Sequence, residues 1–182
     1  MVKIEVNPTS LIYYWEDMSY PDKLVNAKKQ EVERKEIIEK MKEIFPLAEI
    51  KHQTGLAPTV SHTNYSHISI SHSQGLYAIY LSNENIGIDI QRYKGELSKG
   101  RNYFINEREE CFLSDEQALY LIWSAKEAFY KKMGGEIPDL KNNVTILSIQ
   151  TPIKQIVLEH DNKLYKLSYL ESKQFVLMWT LN

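Results

Sequence analysis

The sequence predicts an α+β fold in which small antiparallel sheets each pack against one long helix. Three observations predict it. Strand-like alternation opens the chain and dominates residues 67–90. Two helical stretches carry a readable stripe or readable caps. After Pro138 the chain returns to strand texture up to its last residues. A weak internal echo adds a duplicated plan, since Ser69–Leu81 and Ser168–Thr180 place serines equivalently before an apolar run.

Val2, Ile4 and Val6 alternate with Lys3 and Glu5 in a first strand closed by Asn7-Pro8, and Leu11–Trp15 forms a second. Ser19 and Asp22, with Pro21 between them, mark a helix start. The helix runs to about Phe45-Pro46 on a stripe of Ile37, Met41, Ile44 and Phe45. Its middle, from Lys28 to Glu36, is polar nearly all round and reads as a solvated face of mixed charge. Gly55, Pro58 and Ser61–Ser66 form loops. Ile68–Ile70, Leu76–Leu81 and Ile86–Ile90 follow as three strands with short turn-rich separators, so an antiparallel meander is expected. Arg92–Arg101 reads as a mobile, net basic loop. Asn106 with Glu109, and Ser114 with Gln117, have capping-box spacing and predict helices over 107–113 and 115–133, the second stopped by Gly134-Gly135. Strands at 144–149, 153–159, 164–170 and 175–181 complete the chain.

A chain of 182 residues with 43% hydrophobic and 25% charged residues can bury a sizeable core as one domain or two small halves. A formal net charge of −2 gives no electrostatic footprint for nucleic acid. The single cysteine, Cys111, excludes an internal disulfide framework, and its helical surroundings suggest a buried, inert thiol. The N-terminus alternates like a strand rather than forming a signal sequence, and no run is long enough to span a bilayer. The chain therefore reads as cytoplasmic.

Two stretches carry chemistry. In Ile86-Gly-Ile-Asp-Ile-Gln91 the isoleucines alternate with Gly87, Asp89 and Gln91, which share the other face of a strand. In Trp123–Lys131 the side chains of Glu127 and Lys131 stack one helical turn apart. A strand carboxylate and a helix carboxylate could converge on one hard cation such as Mg²⁺, which takes few carboxylates and leaves room for water and phosphate oxygens. Lys131 could then reach the same phosphate. Plainer explanations exist: Glu127 and Lys131 as a surface pair worth about 0.2–0.5 kcal/mol, and Asp89 as an edge-strand charge that discourages aggregation. His62, His67 and His72 do not have zinc-ligand spacing.

Ser-His-Ser73, Gly-Ile-Asp89 and Trp-Ser-Ala-Lys-Glu-Ala-Phe-Tyr-Lys131, in this order along the chain, resemble the 4′-phosphopantetheinyl transferase superfamily. The similarity is to the larger, surfactin-synthetase-activating type. The resemblance implies two similar α/β halves with pseudo-twofold symmetry, here 1–84 and 85–182, and a coenzyme A cleft between them. It implies transfer of the 4′-phosphopantetheine arm from coenzyme A to a serine of an apo acyl or peptidyl carrier protein, with Mg²⁺ as cofactor and release of 3′,5′-ADP. Asp89, Glu127 and Lys131 would be catalytic. Asp89, Glu127 and Gln91 would form the metal set, Gln91 standing where the larger type often has a second acid, so weaker Mg²⁺ binding is expected. Ser71, His72, Lys126 and Lys131 would contact coenzyme A, joined from the first helix by Lys28, Lys29 or Arg34. Gly55-Leu-Ala-Pro58 replaces the family's Gly-Lys-Pro, with Lys51 or His52 as substitutes for the lost lysine. The basic 92–101 loop would meet an acidic carrier protein. A monomer is expected, with no nucleic-acid or membrane partner. A degenerate relative that binds coenzyme A or a carrier without transfer is the main alternative. An unrelated Mg²⁺-dependent phosphotransfer enzyme is a third, disfavoured by the lack of a Walker loop or kinase signatures.

Overall fold

The computed structural model describes residues 1–21, 26–51, 57–95 and 97–182. The helix start at Ser19–Asp22 falls partly outside these residues, and His52, Gly55 and Leu56 fall wholly outside. In chain order the elements begin with β1 (Val2–Asn7), β2 (Ser10–Glu16), α1 (Asn26–Ile44), β3 (Glu49–Lys51) and β4 (Thr59–Ser61). Next come β5 (His67–Ser73), β6 (Leu76–Ser82), β7 (Ile88–Arg92) and two 3₁₀ helices at Leu97–Tyr103 and Glu107–Phe112. The chain ends with α2 (Glu116–Lys132), α3 (Leu140–Asn143), β8 (Thr145–Gln150), a 3₁₀ turn at Thr151–Ile153, β9 (Gln155–His160), β10 (Lys163–Glu171) and β11 (Phe175–Thr180). The expected α+β class is what forms.

The strands make a four-stranded sheet ordered β1-β2-β6-β5, a five-stranded sheet ordered β7-β11-β10-β9-β8, and the small β3-β4 pair, all antiparallel. Each large sheet has one long helix against it. Ile37 and Met41 of α1 bury against Trp15, Tyr77 and Ile79. Ile122, Ala125 and Phe129 of α2 bury against Leu158, Leu167 and Met178. A third apolar cluster joins the two sheets, with Ile12, Leu76 and Tyr80 on one side and Ile88, Ile90 and Leu177 on the other.

The expected meander breaks after β6. β7 does not continue the sheet of β5 and β6; it pairs with β11 instead. What remains is a side-by-side approach of β5 and β7 bridged by side chains. Ser69, Ser71 and Ser73 repeat every second residue, and their hydroxyls accept hydrogen bonds from the backbone N–H groups of Ile88, Ile90 and Arg92, each at 3.1 Å. Hydroxyls thus replace the carbonyls of a missing strand partner and keep buried N–H groups satisfied. Gly87 fixes where β7 passes under α2. A Cβ there would lie 1.8 Å from the Ala128 carbonyl oxygen, so only glycine permits the approach.

Two smaller expectations also change. Asn106 and Glu109 do form a reciprocal capping box, but α2 is capped by Asp115, whose side chain accepts from the Ala118 N–H, and not by Ser114. Gly134 and Gly135 end that helix at positive φ of 69° and 83°. Cys111 is exposed rather than buried, because the 3₁₀ helix that carries it turns that side to solvent.

Candidate functional site: a carboxylate pair between strand and helix

Asp89 is the second residue of β7 and is buried, with 5% of its surface exposed. Its Oδ1 accepts from the Ser71 hydroxyl at 2.9 Å and from the Lys131 ammonium at 3.1 Å. Its Oδ2 is buried with no hydrogen-bond partner among the described residues. An unpaired buried carboxylate oxygen is costly and unusual in a finished core. Ser71 is the hinge of this arrangement: one hydroxyl accepts from the Ile90 N–H and donates to Asp89, so the strand's own spacing aims the carboxylate.

Glu127 faces this aspartate from α2. Burial pushes its carboxyl above the usual carboxylate range, the Asp89 charge pushes it further, and Lys131 pulls the other way. The Asp89 charge disfavours ionisation of Glu127, and a proton or a cation relieves that repulsion. Lys131 is not paired with Glu127 as helix spacing alone suggests. Its ammonium reaches across to Asp89 Oδ1 and to the Ile88 carbonyl at 2.9 Å.

Lys131 also borders a cleft of about 730 Å³, lined on one side by Pro58, His67 and Ser69 and on the other by Tyr130, Gly134 and Glu136. The cleft thus lies between the 57–58 and 67–70 segments and the end of α2, and Lys131 links it to Asp89. His72 stands nearby on β5, with 40% of its side chain exposed and Nδ1 at 3.3 Å from Glu33 Oε2. Burial lowers its pKa, Glu33 opposes that, and Lys131 and Lys29 reinforce it.

The 4′-phosphopantetheinyl transferase superfamily matches residues 85–181, the span from just before β7 through β11 and more than half of the chain. The chain belongs to that superfamily. A comparison with curated proteins gives no match. Within the matched span lie Asp89, Gln91, Lys126, Glu127 and Lys131.

Not every expected residue of the transferase site comes to it. Lys126 lies fully buried on another side of α2. Its ammonium donates to the Phe104 carbonyl at 2.6 Å, to Glu109 Oε2 at 2.9 Å and to the Leu140 carbonyl at 3.1 Å. All three protons are used, so the coenzyme A contact expected of it is replaced by a structural one. Arg34 is exposed on the outer side of α1 with Lys35, Ile38 and Lys42, and Lys28 is exposed as well. The first-helix cation that the structure brings to the site is Lys29, 3.9 Å from Glu33. Lys51 ends β3 and is exposed. Gln91 is half-buried, two residues beyond Asp89 on the same strand face. Among the described residues there is no cluster of three or more His, Cys, Asp or Glu side chains suited to a metal, so any cation here relies on a two-carboxylate set.

Glu33 is the site residue that sequence reasoning missed. It is 1% exposed and buried in the helix stretch read as solvated. A signal was present: Glu33, Ile37 and Met41 are spaced by four and lie on one stripe, so the carboxylate shares the face of two core residues.

Proposed function

We propose that this chain transfers the 4′-phosphopantetheine arm of coenzyme A to a serine of an apo acyl or peptidyl carrier protein, with Mg²⁺ and with release of 3′,5′-ADP. The observation that carries the proposal is the Asp89–Glu127 pair, in which one buried carboxylate oxygen lacks a partner among the described residues and the second carboxyl is pushed up by burial and by the first. This donor set fits a hard cation. Asp89 and Glu127 would hold it, with Gln91 beside them, and a Mg²⁺ there supplies neutralisation of pyrophosphate charge.

The chain's own residues account for the remaining demands. The carrier serine must lose a proton as its oxygen bonds to the β-phosphorus of coenzyme A. The bond from that phosphorus to the departing 3′,5′-ADP breaks as the new one forms. Glu127, the carboxylate that α2 supplies at this place, would take the proton. Lys131 sets a positive charge at the cleft rim beside the carboxylates, where phosphate oxygens would lie. Ser71 holds Asp89 in one orientation throughout. The 730 Å³ cleft has the size of an organic ligand site.

We further infer the larger, two-halved type divided at residues 84 and 85, acting as a cytoplasmic monomer. Support comes from one long helix per large sheet and from the β5-β6 and β10-β11 hairpins, which contain the sequence echo. No helix among the described residues is long and apolar enough to cross a membrane. The carrier-docking role of the 92–101 loop is weaker than its sequence suggests, because Arg92 pairs with Glu16 at 2.6 Å and Arg101 with Glu110 at 2.5 Å.

The alternative, a relative that binds coenzyme A without transfer, draws on Gln91 and on the Lys131 ammonium already seated on Asp89. Intact-protein mass of several apo carrier proteins, incubated with the chain, coenzyme A and Mg²⁺, separates the two. Addition of the phosphopantetheine mass, lost in Asp89→Ala and Glu127→Ala, is the expected result. Coenzyme A binding by calorimetry with no carrier modified would establish the non-catalytic alternative.

A further inference from the structure

Glu33 is a buried carboxylate that no step above uses. It lies on α1, in the half of the chain opposite to the metal-binding pair, and is 1% exposed. One oxygen accepts from the Tyr20 hydroxyl at 2.9 Å; the other is 3.3 Å from His72 Nδ1. Burial and this hydrogen bond push the Tyr20 hydroxyl up to about 12, so it remains a donor throughout the working range. His72 Nε2 has no protein partner among the described residues, and the ring is partly open to solvent. The groups facing that ring are Glu33 and Lys29 from α1, Lys131 from α2 and Tyr77 from β6.

A carboxylate fixed at Nδ1 does two things to an imidazole. It sets the ring orientation, because Nδ1–H must point at the carboxylate. It also stabilises the doubly protonated ring, in which both nitrogens donate. Burial and the two lysines nearby work against protonation, and Glu33 is the group that opposes them. An anion arriving at Nε2 would complete a row of alternating charge, phosphate–imidazolium–carboxylate.

We propose that Glu33 is a positioning residue for coenzyme A: it holds His72 by Nδ1 so that Nε2–H can donate to a phosphate group of the bound nucleotide. This rests on the transferase function proposed above, and it ties the first helix to the site through a residue other than its exposed cations. Glu33 contacts no reacting atom; its effect is on nucleotide affinity and on the protonation of His72.

The test uses Glu33→Gln, which keeps the side-chain shape and removes the charge. In the absence of ligand, NMR titration of His72 should show a lower pKa in Glu33→Gln than in the natural chain, since Glu33 is the group that favours the charged ring. In transfer assays KM for coenzyme A should rise roughly tenfold, the size of one charge-assisted hydrogen bond, while kcat at saturation changes far less. In a His72→Ala background Glu33→Gln should raise KM no further. A purely structural carboxylate would leave the His72 titration unmoved and would still weaken binding in that background; either result overturns the proposal. A His72 titration that shifts while KM for coenzyme A stays constant overturns the nucleotide role. Should Glu33→Gln fail to fold, Glu33→Asp keeps the charge but shortens its reach, and an unchanged His72 titration there is equally fatal. If the natural chain binds no coenzyme A at all, the transferase function fails and takes the nucleotide role with it. The ligand-free His72 titration still decides separately whether Glu33 controls the ring.

Discussion

Helix α2 carries two lysines five residues apart, each beside a buried carboxylate, and the two pairs are opposite in character. Lys126 and Glu109 are both fully buried and complete. The lysine has three acceptors, and Glu109 accepts from the Ile146 N–H at 2.7 Å and the Asn106 N–H at 2.9 Å as well as from the lysine. Lys131 and Asp89 are 25% and 7% exposed, and one aspartate oxygen has no partner among the described residues. A closed network gains nothing from a ligand, whereas an open one has a place reserved for it. Hydrogen-bond completeness thus separates the closed pair from the one proposed to act at the site.

Breaking the closed pair should have the largest effect on stability. Lys126→Ala leaves the Glu109 carboxylate buried without its cation, a loss of about 3–5 kcal/mol that urea unfolding would read. Lys131→Ala should cost less, because that ammonium is already partly solvated. Equal losses would erase the distinction between the pairs.

Ser71→Ala sharpens the comparison at the open pair. It removes the donor to Asp89 and the acceptor of the buried Ile90 N–H. A loss of about 1–3 kcal/mol follows from the unsatisfied groups, together with a higher Mg²⁺ requirement for half-maximal transfer. An unchanged Mg²⁺ requirement would show that Ser71 does not aim Asp89.

Glu127→Gln should act in the opposite direction on stability. Because the folded-state pKa of Glu127 is raised, its favourable contribution is complete below the ordinary carboxylate pKa and is lost as pH rises through the folded value. At neutral pH without Mg²⁺ the ionised side chain therefore opposes folding, and the glutamine variant should melt higher. A rise on the order of 2–4 °C corresponds to 1 kcal/mol in a chain of this length. The gain should fade as pH falls below the ordinary carboxylate range, where the natural side chain is neutral in both states. Thermal melts across pH check the sign.

Much of this comparison could be read from residues alone, for definable reasons. Asp89 and Glu127 were visible because each sits in a strongly periodic element. The Asn106–Glu109 box and the Gly134-Gly135 stop were visible because caps are local chemistry. The different fates of Lys126 and Lys131 were latent in helix geometry, since five residues rotate a side chain by about 140° and two such lysines cannot serve one cleft. The departure of β7 from the meander was not visible. It depends on serine hydroxyls standing in for a strand backbone and on Gly87 meeting α2, both contacts between segments distant in sequence. Glu33 was hidden by its polar neighbours, although its spacing from Ile37 and Met41 already placed it inward.

We infer that Asp89 and Glu127 hold a divalent cation and that the closed Lys126–Glu109 pair does not. Mn²⁺ titration followed by EPR, with coenzyme A present, tests it most directly. The free-ion signal of the natural chain is expected to disappear up to one equivalent, with that binding lost in Asp89→Asn and Glu127→Gln and retained at lower affinity in Gln91→Ala. A signal that stays free with the natural chain, or binding that survives both carboxylate substitutions, would contradict it.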